Sequence, residues 1–154
     1  MRGAAAKNSG LSRLLLKSSA AATPILLVGK SRLTKDVAML SPVARTFLTA
    51  SGFEGLAGQC AVLPGADGAV AAVVAGVPDD ESEAATAFSI GSLPGLLPAG
   101  DYRLDGGLAK PEIAALAWLL GSYDYARYRK PRKNGDRRLA VPAEVDAAAV
   151  AAIA

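Results

Sequence analysis

The chain has 154 residues, with no histidine, a single cysteine, and 17 basic residues against 14 acidic ones. That length suits one ordinary domain, and the composition removes whole classes of chemistry: without histidine there is no Ser-His-Asp or Cys-His nucleophile system, no His-ligated zinc and no imidazole base. One cysteine, Cys60, permits neither an internal disulfide nor a Cys-rich metal site, so a reducing, cytoplasmic setting is expected.

With 51% apolar and 20% charged residues the chain has enough material for a folded core. Its 33 alanines favour helix. No run of about 18 apolar residues occurs, so no membrane partner is expected. The charge is unevenly placed. Residues 1–35 carry seven basic groups and no acid, residues 36–126 are acidic, and residues 127–138 hold seven basic groups against one acid. An acidic body between two basic patches is not a surface uniformly built for nucleic acid.

In chain order, residues 1–22 are rich in Ala, Ser, Arg and Lys and read as a disordered or targeting-like leader; Leu14-Leu15-Leu16 is too short for a secretory core. Ile25 to Val28, bounded by Pro24 and Gly29, predicts a buried strand. Asp36 to Ser51 shows helical apolar spacing, read most simply as one helix, with Pro42 marking a break or the first turn of a second helix and Gly52 as a stop. Gln59 to Leu63 and Ala69 to Ala75, joined by Pro64-Gly65-Ala66-Asp67-Gly68, predict a hairpin. Pro78 to Glu83 then reads as an acidic, cap-like helix start, its carboxylates favoured by the helix dipole. Gly91 to Gly100, broken by Pro94 and Pro98, reads as mostly loop. Asp101 to Leu104 predicts a short strand, Glu112 to about Tyr125 a deeply packed helix, Arg138 to Pro142 a strand, and Asp146 an N-cap. The last helix runs to Ala154 without a stop signal, as in a chain cut from a larger protein.

Few residues invite chemistry. Arg127, Arg129, Lys130, Arg132, Lys133, Arg137 and Arg138, with Tyr123, Tyr125 and Tyr128 interleaved or just ahead, are the combination that grips single strands or phosphate backbones. A solvated loop whose cations follow a helix C-terminus accounts for the same run. Cys60 lies in an apolar strand with no nearby base and reads as a core residue. Asp79, Asp80, Glu81 and Glu83 lack the spacing of a cation loop. There is no Walker loop and no GxGxxG fingerprint; Gly65 to Gly68 and Gly91 to Gly100 are ordinary turns or weak phosphate-loop candidates. No nucleophile, base and electrophile come together.

The stretch from Pro111 through Leu120-Gly121-Ser122-Tyr123 to Arg129, followed by Arg138-Leu139-Ala140-Val141-Pro142, resembles the N-terminal domain of the bacterial leucyl aminopeptidase family. Thr23-Pro24-Ile25-Leu26, Ala50-Ser51-Gly52-Phe53, Leu63-Pro64-Gly65 and Leu96-Leu97-Pro98 before Tyr102 agree in order. The similarity covers roughly residues 23–154. It implies an α/β fold: a macro-domain-like mixed sheet flanked by helices in three layers. It also implies a layout of leader 1–22, macro-like N-terminal domain 23–142, and residues 143–154 as the start of a helix leading to a catalytic domain not in this chain. Family members are cytoplasmic exopeptidases, typically hexamers, that use two divalent metals, zinc or manganese, to activate water. The metal ligands and the catalytic Lys and Arg belong to their C-terminal domain, so no catalytic or metal residue carries over to this chain. Some members bind DNA, which keeps the basic 127–138 segment as a nucleic-acid alternative. A nucleotide or ADP-ribose module rests on fold analogy alone.

Overall fold

Apolar runs bounded by Gly and Pro become the strands β1 (Leu15–Lys17), β2 (Thr23–Gly29), β3 (Cys60–Pro64), β4 (Val70–Val77), β5 (Gly100–Asp105) and β6 (Arg137–Val141). The structure is a computed structural model that describes residues 13–17, 21–79, 83–105, 111–128, 137–142 and 145–154, apart from the side chains of 83–88 and 123–128. The strands form one sheet in the order β1-β6-β5-β2-β4-β3. All neighbours are parallel except the β3–β4 hairpin, where Ala61 faces Val74 and Leu63 faces Ala72. The helices are α1 (Leu33–Asp36), α2 (Pro42–Ala50), α3 (Glu83–Leu96), α4 (Pro111–Tyr128) and α5 (Ala147–Ile153). Mixed sheet and flanking helices agree with the expected α/β class.

Strand alternation sorts the core onto the two faces of the sheet. Ile25, Val73, Ala75, Tyr102, Leu139 and Val141 meet Ile90, Leu93 and Leu97 of α3 and its end, Ala115, Trp118 and Leu119 of α4, and Val150 and Ala151 of α5. Val28, Ala61, Leu63 and Val74 point the other way, against Leu48 of α2 and Phe53. Trp118 is fully buried; its indole N–H donates to the Arg137 carbonyl at 3.3 Å, and its ring lies 6.1 Å from that of Tyr102. The Tyr102 hydroxyl in turn donates to the Pro98 carbonyl at 2.6 Å, so both buried aromatics satisfy their polar ends.

Four expectations change. Leu15–Lys17, inside the segment read as a leader, pairs in parallel with Leu139–Val141, and Leu15 is buried; a leucine run too short for export suffices for an edge strand. The one helix that is the simplest reading of 36–51 is split, and the alternative reading of Pro42 as the first turn of a second helix holds. Leu40 turns extended, Ser41 caps α2 by accepting from the Ala44 N–H at 3.2 Å, and Pro42 takes the first helical turn, where its missing N–H is harmless. The Gly91–Gly100 region is not a loop up to Leu96, because α3 runs through Gly91, Pro94 and Gly95. Pro94 removes one helical donor, yet it is fully buried and the apolar face carries the turn onward. Finally, α4 extends to Tyr128, so Arg127 and Tyr128 belong to the helix rather than to the connection after it.

Gly91 explains why a glycine stands inside a helix. A Cβ at Gly121 of α4 would collide with the Gly91 carbonyl, and one at Gly91 would lie 3.2 Å from the Ala117 carbonyl. The two helices therefore touch backbone to backbone.

Candidate functional site

In a parallel sheet whose chain order reverses, ligands are expected outside the carboxyl ends of the strands beside the reversal. Here that place is β2, which has β4 on one side and β5 on the other. The ends of β2 and β4 bring together Gly29, Lys30, Ser31 and Arg32 with Pro78 and Asp79. Asp79 fills the spot. Its carboxylate accepts from the Ser31 backbone N–H at 3.0 and 3.3 Å and from the Ser31 hydroxyl at 2.9 Å. The Ser31 backbone bond, then the hydroxyl bond, outweigh a small desolvation, and with the nearby Arg32 and Lys30 charges they hold this carboxyl below the usual carboxylate range. A Cβ on Gly29 would lie 2.6 Å from the Asp79 Oδ1. The chain's own carboxylate thus takes the backbone donor that an anion would need. It was expected to serve the start of α3, but its described partner is Ser31 across the sheet end; the remaining acids of the cluster have no described side chains.

The same end of the sheet is closed from above. Gly76 of β4 lies directly under the Leu56 carbonyl, with no room for a side chain. The Gln59 side chain holds that strap down by accepting from the Glu54 and Leu56 N–H groups, both at 3.0 Å.

At the opposite end of the sheet, an open cleft of about 410 Å³ is lined by Arg13, Gly100, Asp101 and Arg138. Arg138 forks onto Asp101, Nε to Oδ1 at 2.7 Å and the second nitrogen to Oδ2 at 3.0 Å. Both side chains are about two-fifths exposed, 43% and 39%, which places the pair in the roughly 0–1 kcal/mol class. Arg137 points to the other face, where its Nε donates to the Leu97 carbonyl at 2.6 Å. Of the seven cations singled out in sequence, these two are thus bonded within the domain; Arg129, Lys130, Arg132 and Lys133 lie outside the described residues, and Arg127 is placed only by its backbone in α4. The glycine candidates separate as well. Gly65 and Gly68 form the β3–β4 turn, while Gly91 and Gly95 stand within α3.

Cys60 is half-buried, and burial pushes its thiol up to about 11, so at neutral pH it is an uncharged, unreactive packing group. Among the described residues no three Cys, Asp or Glu side chains lie close enough to hold a metal ion. The donor set of the described residues does not fit a dinuclear centre. No helix among the described residues is long and apolar enough to cross a membrane.

This fold and this chain order are found elsewhere. The crystal structure of the cytosol aminopeptidase of Coxiella burnetii superposes with a TM-score of 0.69 at 28% identity, over 85% of this chain and 29% of that one. The bottromycin maturation enzyme BotP, solved in complex with Mn, shares the fold at a TM-score of 0.51 and 22% identity, over 86% of this chain and 28% of its own. In sequence, the chain is 33% identical over 127 residues to a probable cytosol aminopeptidase of Leifsonia xyli subsp. xyli; it spans 25% of that relative's length. Residues 23–142 match the family model of the M17 aminopeptidase N-terminal domain. The chain belongs to the M17 aminopeptidases and carries their N-terminal domain.

Proposed function

We propose that this chain is the non-catalytic N-terminal domain of a leucyl-aminopeptidase-like metalloexopeptidase, with a structural and assembly role. The parent enzyme would remove N-terminal amino acids from peptides in the cytoplasm and assemble as a hexamer. The observation that carries this reading is the family match over residues 23–142 in a chain that spans only a quarter of its curated relative. Two divalent metals, zinc or manganese, are assigned with the catalytic Lys and Arg to a C-terminal catalytic domain, the partner of this one. The chain supplied with manganese or zinc and a leucine anilide should release no product; metal-dependent release would overturn the reading.

The nucleic-acid alternative draws less support, because Arg137 and Arg138 are already bonded within the domain. If it holds, DNA binding at low salt should fall steeply as salt rises and should vanish when Arg129, Lys130, Arg132 and Lys133 are neutralised together. Absence of binding at low salt disposes of it.

A further inference from the structure

We propose that the edge of β3, which pairs with no further strand among the described residues, is a self-pairing surface, on which a second copy of this chain adds its own β3 antiparallel and joins the two sheets across a two-fold axis. The two edges of the sheet differ in kind. The β1 edge is three residues long, ends on Lys17 and follows Arg13, and short cationic strands are how proteins keep an edge from pairing. The β3 edge has five residues and no such protection: no charged residue occurs from Gly55 through Ala66.

The outward polar groups of β3 follow from the ladder. The Gln59 carbonyl accepts from the Gly76 N–H at 2.8 Å, so antiparallel alternation turns the backbone groups of Gln59, Ala61 and Leu63 toward β4 and those of Cys60 and Val62 outward. Pro64 ends the donors, since it has no N–H. These facts select one register. Opposing Cys60 to the second copy's Val62, and Val62 to its Cys60, uses every outward donor and acceptor of both residues. A register centred on Val62 would instead set Cys60 against a proline.

The chosen register places the two-fold axis at Ala61, in a non-hydrogen-bonded pair where facing side chains come closest and a methyl group fits. It opposes no like charges, because the nearest, Glu54 and Asp67, lie beyond the strand ends. A five-residue pairing alone buries little, and the neighbouring helix offers more. α2 packs on β3, and Met39, Val43 and Phe47, at helical spacing along it and the turn before it, are 92%, 80% and 41% exposed. Exposed apolar surface on the helix that packs against the edge strand is what a symmetric interface covers.

This inference does not rest on the peptidase reading: a chain without activity would pair equally well, and a monomeric chain would leave the peptidase assignment intact. Sedimentation velocity over a concentration series tests it, with a reversible monomer–dimer equilibrium expected. Val62→Pro removes an outward N–H and spares the bonds to β4, so it should abolish the dimer while leaving far-UV circular dichroism and Tm close to those of the parent chain. In a Cys60→Ala background, Ala61→Cys should oxidise to a reducible covalent dimer, whereas a cysteine at the exposed Ala152 should not. A chain that stays monomeric at every concentration overturns the proposal. So does a dimer that fails to cross-link through Ala61→Cys.

Discussion

Gly121 has no space for a side chain because the Gly91 carbonyl occupies it. Gly121→Ala is therefore expected to pry α3 from α4 and to cost roughly 1–3 kcal/mol by urea denaturation, although alanine is the better helix former. Trp118 is the opposite case, a large side chain with 0% exposure that packs from its helix onto Tyr102 of β5 and donates to the Arg137 carbonyl of β6. Trp118→Ala should remove about 3–5 kcal/mol, read as a drop in the urea midpoint. Asp79 makes a prediction in pH. Its carboxyl is lowered in the folded chain chiefly by the Ser31 N–H, so its contribution to stability is present above the unfolded value of about 3.9 and disappears as pH falls through the lower folded value. Asp79→Asn should flatten the acid limb of a stability-against-pH curve; an unchanged limb would show that the Ser31 bonds do not hold in solution. Neither the Gly91–Gly121 contact nor the Asp79–Ser31 bond was legible in the sequence. Each joins residues far apart in the chain, and nothing local marks a glycine as a contact point or a carboxylate as a plug.

Elements with local signals were legible. The β3–β4 hairpin follows from two apolar runs and a Pro-Gly, Asp-Gly turn, and the structure pairs Cys60 with Ala75 through Leu63 with Ala72. Asp146 reads as a cap and is one, accepting from the Ala148 and Ala149 N–H groups at 3.0 and 3.1 Å. Asp146→Ala should cost about 1 kcal/mol and raise amide exchange in α5 first, since that short helix has no other N-terminal acceptor in its first turn. Elements whose local signals conflict with their packing were misread. Gly91, Pro94 and Gly95 argue for a loop, but Ile90, Leu93 and Leu97 lie within 2% of complete burial and fix the helix against the sheet. Burial of three such side chains, about 1.5–3 kcal/mol each, stands against roughly 1 kcal/mol at each glycine and about 3 kcal/mol at Pro94, and at the middle of its range outweighs them.

For the whole molecule, the class could be read from alternating strand and helix patterns, and the family from the order of its landmarks, but the order of strands could not. Periodicity states that a segment is a strand and is silent on its neighbour. Hence the run Leu14 to Leu16 reads as leader, although Leu15 pairs with Leu139 of β6. Deleting residues 1–17 should lower stability by about 2 kcal/mol or more, the burial of one leucine plus the lost ladder, and should lower Tm accordingly. That pairing also sets a timetable. A chain made from its N-terminus presents Leu15 early and Leu139 nearly last, so β1 has no partner in this sheet until almost the whole domain has been synthesised. The loop to be closed is among the longest the chain allows, and its closure entropy places that contact late in folding. The first described strand to emerge is the last to dock, and until β6 is made β5 stands as the bare edge of the growing sheet.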